Sequence, residues 1–213
     1  MKPVQRIQEN LLAGAERRVL NWLCARLPAW VKPDHLTGLG LLGALMVLIG
    51  FVASSAEIGW LWLSIAGFCV HWFGDSLDGS LARFRQIERP RFGYFIDHSC
   101  DGLANLMIMA GLGLTAFVRL DVALFALTGY LLMSIHAFLA ARVLGELSLS
   151  FSAFGPTELR LMLIAITLSM FVLEPDPMWS ALDWLIAASG AILLTIFIAQ
   201  TILTARRIAA EGE

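Results

Sequence analysis

The segment HWFGDSLDGSLARFRQIERPRFGYFIDHSCD, residues 71–101, carries four aspartates at helical spacing. Asp75 and Asp78 lie three residues apart, and Asp97 and Asp101 lie four apart, so each pair shares a helix face. Gly79 and Ala82 continue the first stripe and Gly93 opens the second, which keeps both surfaces low enough for a flat ligand to approach the backbone. Carboxylate oxygens, with no Cys and no obligatory His in the pattern, favour Mg2+, with Mn2+ or Ca2+ as alternatives. One or two such ions beside a phosphorylated substrate are the outline of a phosphoryl-transfer site. Arg83, Arg85, Arg89 and Arg91 lie just beyond and suit an anionic ligand.

The surroundings make these acids expensive. Of 213 residues 58% are hydrophobic and only 15% charged, against about 25% charged in a soluble domain. Mean hydropathy is +0.75. Seventeen acids and fifteen bases cannot cover a soluble core of this size, and a chain so apolar is not disordered. The net charge of −2 argues against a nucleic-acid partner. An integral membrane protein remains. A carboxylate at mid-bilayer costs about 2.5–3.5 kcal/mol, so four together call for compensating positive charge. No neighbouring side chain in sequence is placed to neutralise all of them.

The elements that must position the acids read as an all-α membrane protein. Apolar runs at 36–55, 58–74, 102–118, 122–141, 161–173 and 184–204 predict six transmembrane helices. Pro156 and Thr157 can start the short fifth run a turn early. Residues 4–27 alternate Ile7, Leu11, Leu12, Val19, Leu20, Trp22 and Leu23 with charges, which predicts an amphipathic interfacial helix before the first span. The same interspersed charges leave no secretory leader in residues 1–26. The chain thus divides into a juxtamembrane segment, 1–32, and a catalytic membrane domain, 33–213. With the N-terminus cytoplasmic, every Lys and Arg except Arg119 falls inside, so both termini are expected there. The second and third spans are expected to be antiparallel neighbours whose inner ends bring the acids together. Cys24, Cys69 and Cys100 form no C-x-x-C pair and read as inert packing residues.

The pattern Asp75-x-x-Asp78-Gly79-x-x-Ala82-Arg83, nine residues, Gly93-x-x-x-Asp97-x-x-x-Asp101 resembles the signature of the CDP-alcohol phosphotransferases. Pro33-Asp34-His35-Leu36-Thr37 is similar to the family's Pro-Asn-x-x-Thr before the first span, with Asp34 in place of Asn and equally able to cap a helix. The resemblance implies that Asp75, Asp78, Asp97 and Asp101 hold the metal, two Mg2+ ions, and that Asp101 is also the general base. It implies that Gly79, Ala82, Arg83 and Gly93 accommodate the CDP donor, and that the chain is a homodimer. The implied reaction displaces CMP from a CDP-linked lipid by an alcohol acceptor, with CDP-diacylglycerol the leading donor and a CDP-amino-alcohol with diacylglycerol the alternative. Arg142, Glu158 and Arg160 flank a Ser-rich loop, 148–155, and are candidates for contacting the acceptor. Membrane lipids are the remaining partners, and a bacterial chain would sit in the inner membrane.

Two other readings compete. A cation- or proton-coupled transporter would place its acids near the midplane on broken helices, often in repeated halves. A prenyltransferase would add spans and a second Asp-rich motif. The chain shows neither a repeat nor a second motif.

Overall fold

The computed structural model describes residues 5–7, 13–144, 146–148, 155–176 and 178–210. Seven helices dominate it: α1 (Ala13–Cys24), α2 (Pro33–Ala53), α3 (Leu61–Phe84), α4 (Pro90–Gly113), α5 (Leu120–Leu144), α6 (Pro156–Ser169) and α7 (Ala181–Ala210). The last six occupy the positions of the six predicted runs. Three of them, α2, α5 and α7, are long and apolar enough to cross a membrane, and the chain is an integral membrane protein. The polar residues of the site dilute α3 and α4. The 14 residues of α6 reach only about 21 Å at 1.5 Å per residue.

The expectation of a purely helical chain needs one correction. Gln5–Ile7 (β1) pairs in parallel with Glu146–Ser148 (β2), Gln5 opposite Glu146. These residues fall inside the stretch expected to begin the amphipathic helix. A partner strand satisfies their backbone groups there, and the helix starts only at Ala13. Residues 8–12 of that helix, and 149–154 of the Ser-rich loop, lie outside the described residues.

Close approach of α2 and α3 organises the inner half. A Cβ on Gly43 would stand 2.3 Å from the backbone nitrogen of His71, and one on Gly74 would stand 2.3 Å from that of Gly40. Small residues let the two backbones touch, as in membrane helix pairs generally. Ser64 adds a hydrogen bond from its Oγ to the Val47 carbonyl at 3.1 Å. α4 packs on α2 and α5. The glycine seam draws α2 against α3, and α4 meets α3 through the side chains of the acid-bearing ends, which the short turn between them brings together.

The turn between α3 and α4 is built by the chain itself. Gln86 adopts φ 57°, Ile87 N–H donates to the Ala82 carbonyl at 3.0 Å and Gln86 N–H to the Arg83 carbonyl at 3.1 Å. This pattern ends a helix in a left-handed residue and reverses the chain. Pro90 then starts α4 at a position where a missing N–H costs nothing.

Two apolar clusters hold the frame. One joins α2 through α7 around Phe51, Phe68, Leu112 and Met170. The other packs Leu20 and Cys24 of α1 onto Leu36, Leu77 and Leu81. Cys24 fits the packing expectation, and burial pushes its thiol up into an unreactive range. Cys69 is exposed and Cys100 half-buried, so neither is simply core.

Candidate active site

Asp75, Asp78, Asp97 and Asp101 all line one cavity, together with Thr37, Gly40, Leu41, His71, Cys100 and Ala104. The helical spacing turns each pair inward, and α2 supplies the floor. Asp78 is buried and the other three are half-buried. The Asp75 and Asp101 carboxyls come within hydrogen-bonding reach of each other across the gap.

Each acid is individually supported. Asp78 accepts from the Thr37 hydroxyl at 2.6 Å and from the N–H of Gly79. Thr37 is the last residue of the segment opening α2, and Pro33 sets that segment at the helix start. His98 Nδ1 stands 3.8 Å from an Asp97 oxygen and 3.7 Å from an Asp101 oxygen. The side chains of these three residues could hold an ion, with ligand atoms all within 4.8 Å of one another. His98 lies three residues before Asp101 and so shares its helix face, and its ring meets Tyr94 edge-on and lies tilted against Phe138.

Positive charge does reach the cluster, contrary to the reading of its sequence neighbours. Arg160, 85 positions beyond Asp75 and carried on α6, pairs with its carboxylate. The same Arg160 Nη2 lies 3.4 Å from His71 Nε2. Glu158, one turn nearer the helix start, accepts from the Gly155 N–H at 3.0 Å and closes the α6 cap. Arg142 is exposed at the end of α5 and is absent from the cavity lining.

The four arginines of the α3–α4 turn divide. Arg85 donates to the carbonyls of Leu27 (2.9 Å), Pro28 (3.0 Å), Ala29 (3.4 Å) and Val31. Both of its terminal nitrogens are thereby committed to the segment joining α1 to α2. Arg89 pairs with Asp34. Asp34 therefore anchors the turn rather than capping α2, whose cap position is Lys32. Arg83 and Arg91 remain exposed, Arg83 touching the Ser80 hydroxyl at 3.4 Å.

The glycines of the motif are unlike those of the α2–α3 seam. A Cβ on Gly93 would meet nothing within 4 Å, and one on Gly79 would meet only the Arg83 side chain, at 3.3 Å. Packing within the described residues therefore does not require either glycine. Ala82 is half-buried on the same side.

Residues that sequence reasoning passed over complete the site. Glu16 of α1 accepts from Trp72 Nε1 (3.0 Å), Ser76 Oγ (3.3 Å) and Thr157 Oγ1 (2.7 Å), joining α1, α3 and α6. Tyr130 of α5 shares a side-chain hydrogen bond with Asn105, and Asn105 donates to the Asp101 carbonyl at 2.8 Å. A carboxylate amid apolar residues at Glu16 was the one available signal.

The chemistry of the donor set suits a hard divalent cation. Four carboxylates share one small cavity with a single guanidinium, and their oxygens are the ligands that Mg2+ prefers.

Comparison with known proteins agrees. The sequence model of the family described as CDP-alcohol phosphatidyltransferase matches residues 30–205. Cholinephosphotransferase 1 of Danio rerio is 28% identical over 122 residues, covering 51% of this chain and 32% of that protein. The archaetidylinositol phosphate synthase of Pyrococcus horikoshii is 31% identical over 104 residues, covering 49% and 52%. The phosphatidylinositol phosphate synthase of Cutibacterium acnes is 37% identical over 91 residues, covering 42% and 41%. The matches span about a third to a half of the length of these curated relatives.

Proposed function

The chain belongs to the CDP-alcohol phosphatidyltransferase family, and from that premise we propose that it transfers a substituted phosphate from a CDP-alcohol to a second alcohol, releasing CMP. The observation that carries this reading is the convergence of all four motif aspartates on one cavity. CDP-diacylglycerol with a small polar alcohol is the proposed pair. The reverse arrangement, a CDP-amino-alcohol with diacylglycerol, follows from the cholinephosphotransferase relatives.

Asp75, Asp78, Asp97 and Asp101 are proposed to hold Mg2+, with two ions in view and Mn2+ as a substitute. When bound, the metal neutralises charge on the pyrophosphate and on departing CMP. The exposed faces at Gly79 and Gly93 admit the nucleotide against the helix backbone, beside Ala82, and Arg83 meets its phosphates. Asp101 takes the proton of the acceptor hydroxyl as that oxygen bonds to phosphorus. The phosphorus–oxygen bond to CMP breaks, and the bonding pair leaves with the nucleotide. Thr37 holds Asp78, and His98 orients Asp97 and Asp101. Of Arg142, Glu158 and Arg160, only Arg160 touches a cavity carboxylate, so the acceptor is proposed to approach from the α6 side.

The whole arrangement is proposed as six spans with α1 lying on the inner surface and both termini cytoplasmic. The cavity then opens at the inner leaflet, where lipid and water-soluble substrates meet. A homodimer remains the proposed assembly.

The test is CMP release from each donor against a panel of alcohols, with and without Mg2+. CDP-diacylglycerol and a small alcohol should give Mg2+-dependent CMP that excess EDTA stops. Unchanged turnover in EDTA, or no CMP from either donor, counts against the proposal.

A further inference from the structure

Arg160 touches the acidic cavity from α6 through Asp75, and an approach of the acceptor from that side does not account for this ion pair. Its guanidinium pairs with Asp75, and that Asp is a proposed metal ligand. The arginine is held there by a relay. His71 is buried, and its Nδ1 lies 3.1 Å from the Gly40 carbonyl. A carbonyl accepts only, so Nδ1 carries the proton and Nε2 is left as an acceptor. Nε2 faces Arg160 Nη2 at 3.4 Å. The imidazole is thus a neutral prop, oriented by α2, that presents a lone pair to the guanidinium. The tight approach at Gly40 is to the α3 backbone, where a Cβ would stand 3.3 Å from the Asp75 nitrogen.

The consequence is electrostatic. Four carboxylates facing one cavity repel one another, and a permanent cation seated on one of them relieves this without any ion from solution. The same cation repels a divalent ion entering beside Asp75 and occupies oxygens that the ion needs. We infer that Arg160 is a built-in counter-ion, positioned by His71, that competes with the divalent cation for Asp75 and thereby sets how tightly the acidic cluster binds it. This rests on the metal reading proposed above. Arg160 is here a positioning residue, acting through Asp75.

The experiment measures Mn2+ binding to the detergent-solubilised full chain by electron paramagnetic resonance of free Mn2+, with thermal unfolding followed in parallel. Three proteins are compared: wild type, Arg160→Gln, and Arg142→Gln as a control that removes an exposed cytoplasmic-end arginine. Even at the dielectric of bulk water, about 80, losing a unit charge about 6 Å from a divalent ion should tighten Mn2+ binding by about tenfold or more. The control should change it by less than about twofold. The ion-free Arg160→Gln protein should melt earlier than wild type and gain more from added Mn2+. If it is unfolded without ions, Mn2+ should restore folding, because the ion replaces the lost charge. Equal or weaker Mn2+ binding in Arg160→Gln overturns the inference, as does equal tightening in the control or failure of Mn2+ to restore an unfolded variant. Absence of Mn2+ binding in wild type and variant alike overturns the metal reading itself.

Discussion

Asp101 and Gly93 sit two helical turns apart on α4 and make opposite demands on the chain. Asp101 is surrounded by partners: the Asp75 carboxyl, His98 and the Asn105 amide. Removing its charge while keeping its shape should leave the frame intact. Asp101→Asn is expected to cut CMP release by about a hundredfold or more while sparing donor binding, measured by equilibrium binding of the CDP compound. Wild-type turnover in that variant would remove the base assignment. Gly93 has open space where a side chain would stand, with nothing within 4 Å of an added Cβ. Gly93→Ala is expected to melt within about 0.5 kcal/mol of wild type yet to weaken donor binding, since the added methyl meets only what lies on the helix surface. An equal loss of stability and binding would mean that the glycine serves the fold. The shared place of Asp101 and Gly93 on one helix face was legible from sequence, because spacing fixes which residues sit together, whereas the roles proposed for them come from the family resemblance. The places of Arg160 and Thr37 were not legible. Each meets its aspartate across a long loop of chain, at 85 and 41 positions, and periodicity carries no information at that range.

At the scale of elements, the glycine seam between α2 and α3 sets the geometry. A methyl on Gly43 has no flexible neighbour to displace, only the backbone of His71 and Gly67. Gly43→Ala should therefore lower stability by about 1–3 kcal/mol or more, read as a drop in melting temperature, and should weaken Mn2+ binding because Asp75 and Asp78 ride on the displaced helix. A silent Gly43→Ala would mean that the seam opens freely. Sequence placed the six long helices correctly, since uncharged runs of this length have few alternatives. It brought the acid-bearing ends of α3 and α4 together but gave no sign that α2 is the close backbone partner of α3, because a short turn fixes chain direction and not lateral packing. It misread residues 5–7, where pairing with a distant strand outcompetes a weak local helical preference.

For the molecule as a whole, the asymmetry of charge carries the prediction. Thr37, Asp75, Asp101 and Arg160 stand at one end of the bundle, while Arg119 pairs with Asp121 at the other. Cysteines introduced singly at 88 and 121 should label from opposite sides of sealed vesicles with an impermeant maleimide, 88 from the cytoplasmic side. Labelling of both from one side would overturn the proposed topology. The orientation proposed rests on the segregation of basic residues alone, and α6 is too short for its length to decide the number of spans.

The Arg85 bracket carries a last implication. One guanidinium grips four carbonyls between 27 and 31 from the base of α3, while Glu16 fastens the other end of α1 to Trp72 and Ser76. The amphipathic helix is thereby riveted at two points to the rod that bears Asp75 and Asp78. With α1 on the membrane surface as proposed, any displacement of that helix would be passed through these hydrogen bonds to the helix that carries Asp75 and Asp78.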